Sequence, residues 1–232
     1  MRASEFIREA EVKPYSVEFP DTDAAMAVLN SHCKEALQMI TCPLWRGMRN
    51  HSEPWLIIDS STGERKSQNT SNHYTIAIDT SPYFAGWPKR SKSLVCTTNE
   101  IRAGRYSERG REGVAGALYA VFPTDGLKIA ICYDQDIWDT PVCVPEFGID
   151  SDCIEDLNEY FNDQGISDNI AAMQPYLPIL HERMKPENLG MQLMTITQYA
   201  HANLDLRETW VSGKVVCIRQ DIYNSMLQNY TR

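Results

Sequence analysis

Short runs of β-branched and aromatic residues at both ends of a long helical stretch constrain this fold more than any other feature of the 232-residue chain. Ala117-Leu118-Tyr119-Ala120-Val121-Phe122 and Leu127-Lys128-Ile129-Ala130-Ile131-Cys132 flank Pro123-Thr124-Asp125-Gly126, the pattern of two strands closed by a tight turn. Glu208-Thr209-Trp210-Val211 and Lys214-Val215-Val216-Cys217-Ile218 flank Ser212-Gly213 in the same way and predict a second hairpin. Residues 42–45, 55–58 and 93–97 read as further strands, and Ser60-Ser61-Thr62-Gly63 as a turn. Before and between the strands the apolar period becomes helical. Met26, Leu29, Cys33, Leu37 and Ile40 recur at helical spacing after Pro20, with Asp21, Thr22 or Asp23 available as a cap. Residues 70–83 hold a short helix ending at Pro82, and Asn99 caps another that runs through Tyr106. Residues 150–200 are helical, with breaks at Pro175, Pro178 and Pro186. Strands before and after a helical block make an α+β chain.

Composition removes several classes. Hydrophobic residues are 43% and charged residues 23% of the chain, which suits a globular protein with a sizeable core and not a disordered one. No apolar run approaches the roughly 18–20 residues that span a bilayer, so no membrane partner is predicted. Residues 1–12 contain no apolar signal core. The seven cysteines are odd in number, scattered and mostly set among apolar neighbours, with no Cys-x-x-Cys pair. They predict a reducing, cytoplasmic setting and no metal site. A net charge of −9 leaves no overall attraction to a phosphate backbone. Arg102, Arg105, Arg109 and Arg111 keep a local basic patch open, but Glu108 and Glu112 share the segment, as in a solvated charged loop. The acidic run Asp150, Asp152, Glu155, Asp156, Glu159, Asp163 lacks the glycine and ligand spacing of a calcium loop. Ile154, Leu157, Tyr160 and Phe161 place its charges on the solvated face of a helix.

Three short features bear on chemistry. In Leu44-Trp45-Arg46-Gly47-Met48-Arg49 an arginine fork, suited to a phosphate, leaves a strand just before a glycine that admits close approach to the backbone. The same pair also makes a commonplace turn. In Arg90-Ser91-Lys92-Ser93-Leu94-Val95-Cys96-Thr97-Thr98-Asn99 a strand finishes in two hydroxyls, which serve either the strand itself or a cleft. Glu208 stands at the mouth of the last hairpin, facing either solvent or a site.

In this order the three features resemble the ADP-ribosyltransferases of the Arg–Ser–Glu type, which include clostridial-type toxins and vertebrate ecto-enzymes. Trp45-Arg46-Gly47 is similar to that family's first-strand motif. Cys96-Thr97-Thr98 with Ala103 and Tyr106 fits its Ser-Thr-Ser strand and following helix, with Cys and Thr replacing both serines. Glu208 and the strands up to Ile218 follow its last motif. Asn69-Thr70, Arg90-Ser91-Lys92-Ser93, Val121-Phe122-Pro123 and Trp138 are also similar to uncharacterised bacteriophage proteins with such a domain. The resemblance covers residues 44–218.

The resemblance implies a split β-sandwich at residues 42–232, preceded by a helical segment at 1–41 and carrying a helical insertion at 150–200. It implies NAD as substrate and no metal. Glu208, Arg46 and Thr97 would be catalytic. Arg46 would hold a phosphate and the Gly47 backbone the nicotinamide amide. Thr97 or Thr98 would orient Glu208, with Tyr106 or Trp138 as stacking surfaces and Ser91, Ser93 and Arg90 nearby. Tyr199 and His201, in the segment before Glu208, would meet the acceptor. Leu206 stands where family members that modify arginine carry Gln or Glu, which leaves another side chain, a nucleic acid, a small molecule or water as acceptor. A toxin or phage effector role follows from the resemblance alone. An inactive interaction protein on the same fold and an NAD glycohydrolase are the alternative readings.

Overall fold

The computed structural model describes residues 22–49, 51–66, 71–107 and 116–230. Residues 1–12, Asp21, Asn69, Thr70, Arg109 and Arg111, on which some expectations rest, lie outside these. The chain runs α1 (Thr22–His32), β1 (Leu44–Met48), β2 (Trp55–Asp59), α2 (His73–Thr80), β3 (Leu94–Thr97), α3 (Glu100–Ser107), β4 (Ala117–Pro123) and β5 (Lys128–Ile131). It continues through β6 (Pro141–Val144), β7 (Ile149–Cys153), α4 (Ile154–Asp163), α5 (Ile170–Met173), α6 (Leu177–Arg183), β8 (Gln192–Thr195), α7 (Ile196–Ala200), β9 (Glu208–Val211), β10 (Lys214–Arg219) and α8 (Gln220–Tyr230). The protein is therefore mixed α+β. Eight strands form one sheet in the order β2-β10-β4-β1-β3-β9-β5-β8, and β6 and β7 pair separately.

The sheet is pinched in the middle. β1 and β4 run together over five registered pairs, whereas β1 meets β3 at one, Trp45 with Thr97. Two four-stranded halves thus adjoin at a narrow junction, all their registered pairs antiparallel. Two apolar clusters follow this division. One gathers Leu29, Met39, Tyr119, Phe122, Val216 and Tyr223 beneath α1 and α8. The other gathers Tyr74, Ala130, Leu157, Phe161, Leu180 and Trp210 beneath α2, α4 and α6.

The two expected hairpins do not form. β4 pairs with β10 and β1, while β5 pairs with β9 and β8. Each tight turn instead carries the chain from one half-sheet to the other, and the two corners pack together. The Thr124 amide donates to the Lys214 carbonyl at 3.1 Å, and a side chain at Gly213 (φ 122°) would meet Leu127 at 2.9 Å. Residues 119–122 of β4 and 215–218 of β10 are fully buried on both faces, as suits interior strands with two neighbours each.

The helix expected from Met26 to Ile40 also breaks. α1 ends at His32, and a 3-10 turn follows over Glu35–Met39. The corner after β4 docks at the break: Asp125 N–H donates to the His32 carbonyl, and the Asp125 carboxylate accepts from Glu35 N–H at 2.8 Å. Residues 150–200 hold α4 to α7, but also most of β7 and the edge strand β8, so that segment is not purely helical. Ile154, Leu157 and Phe161 of α4 are buried as its period predicts. Ala25, Leu29, Cys33, Ala36 and Met39 are fully buried in the first cluster, so residues 25–39 are part of the main core.

Candidate functional site at the junction of the half-sheets

β1, β3 and β9 are consecutive at the junction and bring Arg46, Thr97 and Glu208 to one region. Glu208 opens β9 directly opposite Thr97, which itself faces Trp45. The Glu208 amide donates to Asp134 O at 3.0 Å and its carbonyl accepts from Cys132 N–H at 2.9 Å, fixing the backbone on the β5 side. Its side chain is buried, a costly position for a carboxylate without partners. The partners lie mainly on one oxygen. Oε1 accepts from the Trp210 indole N–H at 2.6 Å and lies 3.5 Å from an Arg90 guanidinium nitrogen. Among the described residues Oε2 has only a long contact, 3.5 Å, with the Ile137 amide.

Arg90 is itself buried and firmly built in. It begins a 3-10 turn, Arg90–Lys92, whose first two amides donate to the Asp79 carboxylate at 2.7 and 2.9 Å. Its guanidinium lies 4.8 Å from the Tyr74 ring centre and 5.6 Å from that of Trp210, with Thr75 Oγ1 at 3.4 Å. Trp138 packs edge-on against Tyr74 at 4.9 Å. A cation between aromatic faces gains from their quadrupoles where water is excluded.

A second polar group borders Glu208. Arg102 of α3 bonds Asp136 at 3.1 Å, and Asn99 accepts from the Arg102 amide. Burial raises the Tyr106 hydroxyl pKa above the ordinary tyrosine value; the Asp136 carboxylate and, less strongly, Glu208 add to this, while Arg102 opposes it. Burial, then the Glu208 charge, push the Cys132 thiol well above its ordinary value. That thiol is an inert neighbour.

The expected residues fall into place unevenly. Arg46 is half-buried and donates to the Val95 carbonyl across the junction at 2.7 Å. Gly47 has a packing reason: an added Cβ would lie 2.2 Å from the Ala103 carbonyl oxygen of α3. Thr97 Oγ1 accepts from Asn99 N–H, and Thr98 Oγ1 from Arg207 N–H. The contacts that orient Glu208 come from Trp210 and Arg90 rather than from these hydroxyls, which corrects the expectation. Ser93 donates to the Lys89 carbonyl and Ser91 joins the Asp79 turn, so both shape the segment carrying Arg90. Tyr199 is buried in the first core cluster, on the inward face of α7. His201 is exposed, with Nδ1 at 2.8 Å from Thr197 O. Leu206 is half-exposed and adopts φ 54°, a left-handed conformation unusual for leucine.

Trp210 was legible in principle, since residues two apart on a strand share a face. Arg90 reaches Glu208, and Tyr74 reaches Arg90, only through the tertiary fold. Among the described residues no cluster of His, Cys, Asp and Glu is placed to hold a metal ion, and no helix is long and apolar enough to cross a membrane. No family model, no curated protein and no solved structure matches the chain.

Proposed function

We propose that this protein is an NAD-dependent ADP-ribosyltransferase acting on a macromolecular acceptor, protein or nucleic acid. One observation carries the reading. Arg46, Thr97 and Glu208, far apart in sequence, stand on three consecutive strands where the half-sheets adjoin. The residues fit the substrate in kind. Arg46 is a half-buried cation that can take a phosphate, and among the described residues one oxygen of Glu208 has no close partner. In the proposed reaction the bond between the ribose C1′ and the nicotinamide nitrogen breaks, and nicotinamide leaves with the electron pair. The acceptor nucleophile then bonds C1′ and gives up its proton. Glu208 stabilises the positive charge that grows on the sugar, Gly47 offers its peptide to the nicotinamide amide, and Tyr106 flanks the site.

The buried Arg90–Glu208 pair favours a second reading, an interaction protein whose carboxylate is structural. Nicotinamide release separates the two. Wild type and Glu208→Gln are incubated with radiolabelled NAD and cell extract, with folding checked by thermal melting. The variant is expected to lose about 10²–10³ in rate, the usual cost of removing one preorganised group. The labelled species names the acceptor class. Wild-type protein that neither binds NAD nor releases nicotinamide sinks the proposal.

A further inference from the structure

We infer that Arg90 and Trp210 form a clamp on one oxygen of Glu208, making them positioning residues and Oε2 the oxygen that meets the reacting sugar. The inference rests on the proposed NAD reaction. Its basis is the asymmetry of the carboxylate: Oε1 is held by the indole N–H at 2.6 Å and lies 3.5 Å from the guanidinium, while among the described residues Oε2 has only the 3.5 Å Ile137 contact. The clamp is preformed. Trp210 is completely buried, and Arg90 is fixed through the Asp79 turn and the Tyr74 face. A carboxylate held by one oxygen keeps a single plane, so its other oxygen presents a fixed lone pair to the sugar without reorganising during the reaction. The guanidinium also offsets the cost of burying the charge before substrate arrives. Arg90 reaches the chemistry only through Glu208, and so does Trp210.

The test combines kinetics, NAD binding and folding for Arg90→Lys, Arg90→Met, Trp210→Phe, Glu208→Gln and the Arg90→Lys and Trp210→Phe doubles with Glu208→Gln. Arg90→Lys keeps the charge but loses the planar fork. Trp210→Phe keeps an aromatic ring and loses the indole donor. Each single variant is expected to lower kcat for nicotinamide release by 10- to 100-fold, with KM and the calorimetric Kd for NAD changed less than threefold. In the Glu208→Gln background each is expected to add less than a threefold loss, because the oxygen to be positioned is already gone. Arg90→Met is expected to be slower than Arg90→Lys, which retains part of the charge contact. Full additivity, or a loss seen in KM and Kd with kcat intact, overturns the clamp while leaving the proposed reaction standing. Wild-type protein that releases no nicotinamide overturns the reaction, and the clamp's catalytic role falls with it. Melting curves show whether each variant is folded; if Arg90→Lys does not fold, Trp210→Phe decides.

Discussion

At the scale of single residues, the defining choice is a carboxylate placed almost out of reach of water. Glu208 is tolerated because an indole donor and a guanidinium meet it, and the guanidinium is tolerated because Tyr74, Trp210 and Glu208 surround it. Such a pair is asymmetric in its energetics. Removing one member strands the other, at a cost of about 3–5 kcal/mol, whereas replacing both with apolar groups is often close to neutral. Arg90→Met is therefore expected to destabilise the fold by about 3 kcal/mol or more. Arg90→Met combined with Glu208→Leu is expected to recover most of that loss. Urea unfolding of the two variants checks this, and a double variant as unstable as the single one would mean that the pair contributes little.

At the scale of elements, α3 is held on β1 by the absence of a side chain. A Cβ at Gly47 would meet the Ala103 carbonyl at 2.2 Å and the Ser107 amide at 2.6 Å, both backbone atoms that cannot rotate away. Gly47→Ala is expected to destabilise the fold by about 1–3 kcal/mol, the usual range for overpacking. Because α3 carries Arg102 and Tyr106, the same change should shift the tyrosine environment beside Glu208. Urea titration gives the first effect and near-ultraviolet circular dichroism the second. Elements also show what a sequence discloses. β2, β3, β4, β9 and β10 were legible as runs of strand-forming residues, and α3 by its Asn99 cap. Their pairing was not. Pro123-Thr124-Asp125-Gly126 and Ser212-Gly213 specify only that the chain bends; whether it bends back onto its own strand or across to the other half-sheet is decided by what covers β4 and β10 on both faces. The site divides along the same line. Arg46, Thr97 and Glu208 could be picked out as residue types in or beside strands, although Arg46 lies in the middle of β1 and not past its end, whereas Arg90 meets Glu208 and Trp210 only once the 3-10 turn at 90–92 is folded against β9.

At the scale of the whole molecule, titratable groups bound the pH range over which the fold is stable. On the acid side, the Arg219 guanidinium lowers the Asp221 carboxyl, and a Cys153 hydrogen bond lowers that of Asp156. Groups with depressed pKa values add stability above the unfolded carboxylate value of about 4 and lose it as pH falls through the lower folded value. On the alkaline side the sign reverses. Burial, then the Asp125 charge, raise the Cys33 thiol from 9.0 to about 12. Between those two values the unfolded thiol has released its proton while the folded one retains it. The native state then binds more protons, so stability falls as pH rises. Tyr119 and Tyr223 are raised chiefly by burial as well and act in the same direction at higher pH. Cys33 is completely buried, beside the break where α1 meets the corner after β4, so its titration reports on the joint between helix and sheet. The urea midpoint is expected to be flat near neutrality and to fall above pH 9. Cys33→Ala is expected to be less stable at pH 7, through the lost packing, yet to show a shallower decline between pH 9 and 11. An unchanged alkaline slope in that variant would assign the decline to the other buried groups with raised values, Cys132, Tyr119 and Tyr223.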